Sequence, residues 1–287
     1  MQVNLPRRRP LSSSVAAALA VMVGALSLAA CGKEEPKTII ETAAVENNKD
    51  MPPEVPTLWP LTGLPGGVVE RPSLAVKVEN PQAARPQSGL EQADLVWEEM
   101  VEGGESRFIA VFNSQVPESV GPVRSVRPMD GPILGPTRGL LAFSGGQERF
   151  IEKAKSVGLQ VLSEDSGSPG FFRSDQRSAP HNLYLNPAEA WAAADDAHLH
   201  LPAGEFVFAD SSAAATAVLN GEPTVDLAVT ISAVAKPKWS WDEATAAYLR
   251  SEGDTPSESA DGVRLSAANV IALTVPIENA GGTDAAG

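Results

Sequence analysis

The chain has 287 residues, with 36 Asp and Glu against 22 Lys and Arg and a formal charge of −14. A surface this acidic repels phosphodiester and anionic lipid alike, which argues against nucleic-acid binding. Cys31 is the single cysteine, so an internal disulfide and a thiolate metal site are excluded and the fold must rest on a packed core.

In chain order, the first element is a basic head (Arg7, Arg8, Arg9), an apolar run from Val15 to Leu28, and then Ala29, Ala30 and Cys31. That order defines a secretory signal peptide. The apolar run is shorter than the roughly 18 residues a membrane span needs, so residues 1–30 read as removed rather than retained. Leu28-Ala29-Ala30-Cys31 resembles the lipobox of bacterial lipoproteins, whose cysteine is acylated and becomes the first residue of the mature chain. Arg8-Arg9-Pro10-Leu11 also resembles a twin-arginine signal. The expected anchor is therefore lipid on Cys31, with the protein on the outer face of the cell membrane and the bilayer as its first partner. Cleavage leaves 257 residues carrying 19 basic and 36 acidic side chains.

Residues 31–56 are polar, charged and proline-bearing without periodicity, which predicts a flexible tether. From Trp59 the texture changes. Residues 73–79 alternate as a strand, and 94–102 and 107–112 form a predicted hairpin around Gly103-Gly104. Residues 140–144 make a short apolar strand, Gly145-Gly146 a turn, and 147–157 a helix with Phe150, Ile151 and Ala154 facing inward and Gly158 ending it. A strand at 159–162 and a helix at 187–194 follow. A boundary falls near 196–222, and beyond it the predicted strands are 205–208, 227–234, 239–241, 248–250 and 270–275. The Gly/Ala-rich tail from Asn279 to Gly287 is not expected to pack. Alternating helix and strand followed by strands alone predicts an α/β (α+β) domain over 57–200 and a smaller β-rich domain over 201–287.

Charge follows the same division. Residues 57–191 hold 12 basic and 16 acidic side chains, and 9 of the 12 are Arg, whereas residues 192–287 hold 4 and 14. The planar guanidinium fork suits carboxylate and phosphate, so positive charge is concentrated in the domain where a site is expected.

Several candidates stand out there. With Glu102 and Arg107 bracketing a four-residue turn, Phe108, Ala110 and Phe112 share the face of Trp97 and Glu99. A carboxylate among such neighbours is either paired with an Arg or holds a raised pKa as a general acid or base. A helix over this segment would void that argument. Arg124 and Arg127 lie between Pro122 and Pro128, whose fixed backbone presents them to a ligand or to Glu98, Glu102 and Asp130. Ser144-Gly145-Gly146 lies between strand and helix, either as an anion site or as a tight connection of no further meaning. Arg173 and Arg177 precede Pro180-His181, where His181 is a structural hydrogen-bonding residue or an acid–base group. His198 and His200 have no evident third ligand for a metal. No Gly-x-Ser-x-Gly elbow and no phosphate-binding glycine loop is present.

Four stretches together carry a family resemblance: ENPQAARPQSGLEQADLVWEEMVEGGESRFIAVFNSQ, VGPVRSVRP, FSGG and RSAPHNLY. Over residues 57–275 the chain resembles the YerB-like lipoproteins, a bacterial family of two domains of unknown function. The resemblance implies an extracytoplasmic α/β domain followed by a β-rich one, and no established activity. Members continue with further strands carrying a Gly-Thr-Trp element, whereas this chain stops soon after Val270-Ile271-Ala272-Leu273, so the sequence leaves the completeness of the second domain open.

Two functional readings follow. In the first, an Arg/Glu-lined cleft binds an envelope glycan, peptide or partner protein, with Glu98, Glu99, Glu102, Arg107, Arg124, Arg127, Ser144, Arg173, Arg177 and His181 as its residues and no cofactor or metal. The alternative is an envelope hydrolase that uses Glu98, Glu99 or Glu102 with His181. The absence of a recognisable nucleophile–base pair favours the first.

Overall fold

The structure, a computed structural model, describes residues 57–278; the signal segment, Cys31, the 31–56 tether and the Asn279–Gly287 tail lie outside them. The described residues group as one compact unit. Its first part is a five-stranded mixed sheet of β1 (Leu74–Glu79), β2 (Leu95–Met100), β3 (Ser106–Phe112), β4 (Leu140–Phe143) and β5 (Gln160–Ser163). The order is β2-β3-β1-β4-β5, with β1, β4 and β5 parallel and β3 antiparallel to both of its neighbours, β2 and β1.

Two apolar layers sandwich this sheet. Even-numbered residues of β1 and β3 (Leu74, Val76, Val78, Phe108, Ala110, Phe112) join one layer, and Ala75, Ile109 and Val111 join the other with Leu134 and Phe150. Burial on both faces explains why LAVKVE and SRFIAVF are buried throughout. It also explains why Lys77, Glu79 and Arg107 on these strands must find partners. Helix α1 (Asp130–Leu134) was not anticipated because it is only five residues long. Helix α2 (Glu148–Ser156) carries Glu148 in its first turn and Lys153 and Lys155 in its last, which suits the helix dipole. Gly158 follows with φ +87°, a left-handed conformation that favours glycine.

A two-stranded ribbon, β6 (Phe171–Arg173) with β7 (Leu183–Leu185), then folds back, followed by α3 (Pro187–Ala192). Asn186 caps α3, its Oδ1 accepting from the backbone N–H of Ala188 at 3.0 Å, and Pro187 opens the helix. The short α4 (Thr216–Asn220) precedes a separate antiparallel sheet of β8 (Asp226–Ala228), β9 (Pro237–Asp242), β10 (Ala247–Glu252), β11 (Thr255–Pro256) and β12 (Ser266–Ala267). A mixed α/β domain and a β-rich second sheet are thus both present, as the element order predicts.

Three expectations are corrected. In the hairpin Arg107 sits opposite Glu99, not Glu102, because residues 102–104 coil into a 3-10 turn with both glycines at positive φ. A shift of register by an odd number of residues exchanges the faces, so Phe108 and Ala110 lie with Glu98 and Val96, and Trp97 and Glu99 lie with Ile109 and Arg107. The predicted strands at 205–208 and 270–275 do not form. Phe208 instead lies over Gly63, and Ile271, Leu273 and Val275 are exposed. Apolar alternation alone makes no strand where no neighbouring edge accepts it. Of the predicted 227–234 strand only Asp226–Ala228 is formed.

Candidate functional site

The chain leaves β1 for β2 and β3 on one side and returns to β4 on the other, so strand order reverses between β1 and β4. In open sheets with parallel strands, ligands bind outside the carboxyl ends of the strands at such a point. Here the crevice is physically opened. β1 pairs with β4 only over Leu74–Val76, and beyond that the segment around Val123 takes the place of β4. The Arg124 N–H donates to the Lys77 carbonyl at 2.9 Å, while the Ser144 N–H donates to the Arg124 carbonyl at 3.1 Å.

A cleft of about 230 Å³ lies on the far side of this segment from β1, at the carboxyl ends of β4 and β5, lined by Arg124, Ser125, Ser144, Glu164, Asp165 and Arg173 among others. Ser144 follows β4, and Glu164 and Asp165 follow β5, so these groups come from carboxyl ends of parallel strands. Ser125 Oγ and Ser144 Oγ are 3.2 Å apart. Arg173 donates to Asn182 Oδ1 at 3.0 Å and to Glu164 Oε1 at 3.1 Å, yet half of its side chain stays exposed. Gly145 admits the Asp165 carboxylate, which occupies the space a Cβ would take.

Behind Arg124 lies Glu79, the last residue of β1 and nearly inaccessible. Its Oε1 lies 2.8 Å from His181 Nδ1, and its Oε2 lies 3.8 Å from Arg124 Nε. Burial pushes the Glu79 carboxyl up, and the hydrogen bond and charge of His181, then Arg124 and Arg107, pull it back. The sequence reading placed Glu79 only as the end of a strand. A carboxylate closing an apolar strand was the available signal, and it went unused.

The predicted residues therefore divide. Arg124, Ser144 and Arg173 line the cleft, and His181 adjoins it through Glu79 and Pro180. Arg177 turns to the carbonyls of Ala83 and Pro86, at 3.3 and 2.6 Å. Arg127 is almost wholly buried; its Nε pairs with Glu102 at 2.7 Å and its Nη1 donates to the Val126 carbonyl at 3.0 Å, which fixes the loop that carries Arg124. The Arg127 guanidinium holds the Glu102 carboxyl below its usual range, although partial burial works the other way. Arg107 donates to the Ser125 carbonyl at 3.0 Å and supports the same loop from beneath.

Glu99 belongs to a buried cluster on the other side of this loop. Lys77, wholly inaccessible, bonds Glu99 Oε1 and donates to Asp130 Oδ1 at 2.8 Å, and Asp130 Oδ2 accepts the Arg127 N–H at 2.9 Å. Two carboxylates around one ammonium leave an excess negative charge in the core. Burial, reinforced by Asp130 and opposed by Lys77, pushes the Glu99 carboxyl up to about 8. Lys77 was missed because a lysine in an alternating strand reads as solvent-facing. Glu98 lies in a third cluster, where Asn80, Ser106 and Arg250 converge on it. Among the described residues no three His, Cys, Asp or Glu gather as a metal site.

A mixed α/β sheet with a polar cleft at its switch point, joined to a smaller antiparallel sheet, defines a two-domain protein of α/β-plus-β class. Residues 61–200 match the N-terminal domain, and 227–287 the C-terminal domain, of the family described as "Protein of unknown function (DUF3048)". The chain belongs to this YerB-like family. It is 40% identical over 132 residues to the protein of Bacillus subtilis (strain 168) named "Putative lipoprotein YerB", a match that covers 44% of this chain and 39% of that relative. The chain thus matches about two-fifths of that relative's length. The crystal structure of YerB protein from Bacillus subtilis is similar at a TM-score of 0.63 and 27% identity, over 73% of this chain and 72% of the other.

Proposed function

We propose that this protein is an envelope lipoprotein, anchored on the outer face of the membrane through acylated Cys31, that binds an acidic, hydroxyl-rich glycan in the cleft at the carboxyl ends of β4 and β5. The observation that carries this reading is the lining itself: two guanidinium groups, two hydroxyls and two carboxylates, of which Ser144, Glu164 and Asp165 follow the carboxyl ends of parallel strands. Such a set offers both donors and acceptors to sugar hydroxyls, and Arg forks to a sugar carboxylate. The volume is below the roughly 300–1,000 Å³ typical of drug-sized sites, so the cleft takes one ring of a longer chain rather than a whole oligosaccharide. The homologue's name as a lipoprotein supports the anchor.

Titration with acidic oligosaccharides released from cell-wall glycan tests the binding. Arg173→Ala, at a half-exposed position, is expected to weaken binding by roughly ten-fold, the equivalent of one charge-assisted contact, and to leave the melting temperature in place. Equal affinity in wild type and in an Arg124→Ala, Arg173→Ala double variant would sink the reading. Cys31→Ser is expected to move the protein from the detergent phase to the aqueous phase, since each buried acyl CH₂ contributes about 0.8 kcal/mol. Unchanged partitioning would remove the anchor.

A further inference from the structure

The pair formed by Glu79 and His181 has a feature that a purely structural contact does not require. The carboxylate is nearly inaccessible and holds one ring nitrogen, Nδ1, at 2.8 Å, while the histidine side chain is 28% exposed. Among the described residues no group bonds Nε2, and on this partly exposed ring that nitrogen is open to solvent. A carboxylate on Nδ1 fixes the tautomer with the proton on Nδ1 and the lone pair on Nε2. His181 also follows Pro180, which lines the cleft, and the other oxygen of Glu79 faces Arg124, which lines it too. Imidazole, carboxylate and guanidinium thus stand in one chain, His181–Glu79–Arg124, whose arginine end lines the cleft and whose imidazole end adjoins it beside Pro180.

We propose that His181 is an acid–base catalyst that hydrolyses an acyl ester on the ligand bound in this cleft, with Glu79 as its positioning residue. The inference rests on the cleft being a binding site. Nε2 takes a proton from a water whose oxygen attacks the ester carbonyl carbon. The negative charge that develops on the carbonyl oxygen is met by Arg124 and by the hydroxyls of Ser125 and Ser144, polar groups already held in place before reaction. The bond from the carbonyl carbon to the alcohol oxygen then breaks, and the imidazolium returns its proton to that oxygen. The products are a carboxylic acid, which ionises, and the free sugar hydroxyl; the imidazole ends as it began. Glu79 keeps its hydrogen bond to Nδ1 throughout, and its carboxylate form stabilises the imidazolium that forms between the two proton transfers. The groups that face Glu79 and so govern the pH profile are His181, Arg124 and Arg107, with Tyr184 nearby.

The test uses the full chain in detergent with p-nitrophenyl acetate, a small ester that needs no glycan. Wild type is expected to exceed buffer hydrolysis, and His181→Ala to lose roughly a hundred-fold, the low end of what general acid–base catalysis contributes. Added imidazole, measured against the same imidazole in buffer because imidazole itself cleaves this ester, should restore much of the His181→Ala rate, since the vacated position is open to solvent. Glu79→Gln, which keeps the shape but not the charge, should lower kcat and displace the pH profile. His200→Ala, on the exposed surface far along the chain, should leave the rate unchanged and so exclude adventitious surface imidazole. His181→Ala at the wild-type rate, or a wild-type rate equal to buffer, overturns the proposal, and so does a folded His181→Ala that imidazole does not rescue. Glycan titration on the same samples separates the two readings. Binding without esterase removes only this inference, and esterase without binding removes the glycan.

Discussion

Lys77→Met is expected to be the most destabilising single change outside the hydrophobic layers. Methionine fills nearly the same volume, so packing is kept and only the charge is lost. The charge holds Asp130, which is wholly buried and already anchors the Arg127 loop through its other oxygen. Removing one partner of a buried ion pair typically costs about 3–5 kcal/mol, because the remaining charge has neither water nor counter-charge. For a folded unit of about 200 residues that lowers the melting temperature by roughly 10 °C. A melt within about 2 °C of wild type would show that Asp130 is satisfied without Lys77. The same cluster sets a pH dependence. The folded Glu99 carboxyl keeps its proton up to about pH 8, whereas its ordinary value is 4.5, so the folded state binds the extra proton between these limits. The stability of this cluster is therefore full below about pH 4.5 and falls as pH rises through about 8. Glu99→Gln keeps the hydrogen bonds without the titration, and its urea midpoint should decline less between pH 5 and pH 8. Equal declines in both proteins would remove Glu99 as the cause.

Arg250→Met is the second large effect, and its consequence is local. Arg250, on β10, is almost wholly buried; Nη2 donates to both oxygens of Glu98 on β2 at 3.0 Å, Nη1 donates to Ser257 Oγ at 2.9 Å, and the guanidinium stands 5.1 Å from the centre of the Phe108 ring. Glu252, also on β10, meets the same guanidinium. The arginine is therefore the most deeply buried charged group among the polar ties between the second sheet and the first, which include those from Asn80 and Arg85 to Glu252 and from Ser232 to the Gly104 carbonyl. Its loss leaves two carboxylates facing each other across that joint, again at a cost of about 3–5 kcal/mol. The second sheet should come loose before the first unfolds. Limited proteolysis of the variant should yield a stable fragment ending between residues 200 and 227, the interval between the two family domains. A variant cut no faster there than wild type would mean that the remaining hydrogen bonds and apolar contacts hold the sheets together without Arg250. The fragment also tests whether residues 57–200 fold by themselves.

What the sequence by itself determined was the main sheet strands and the two longer helices of the first domain, without α1 or the β6–β7 ribbon, and the class of the fold. Strands β1, β3, β4 and β5 and helices α2 and α3 are local objects: an apolar run of strand length, a 3.6-residue period, Asn186 before Pro187, Gly158 after a periodic segment. Each is decided by neighbours in the chain. The family stretches, from ENPQAARPQ to RSAPHNLY, likewise identified the protein's kin. The partners of charged residues were beyond its reach, because a buried charge is satisfied by whichever group the packing brings to it. Three residues of register moved Arg107 from Glu102 to Glu99, and the 3-10 turn responsible forms through positive φ at two adjacent glycines. Lys77 reads as a surface residue until β1 is seen to have strands on both sides and apolar layers above and below. Glu79 and His181 lie 102 positions apart, and they meet only because the β6–β7 ribbon returns across the end of β1. The ten predicted site residues share a composition, but not one place: Arg124, Ser144, Arg173 and His181 are gathered at the switch point, while Arg127, Glu102 and Arg107 brace the loop behind it. Strand order decided that division, and strand order is a property of the closed sheet rather than of any segment in it.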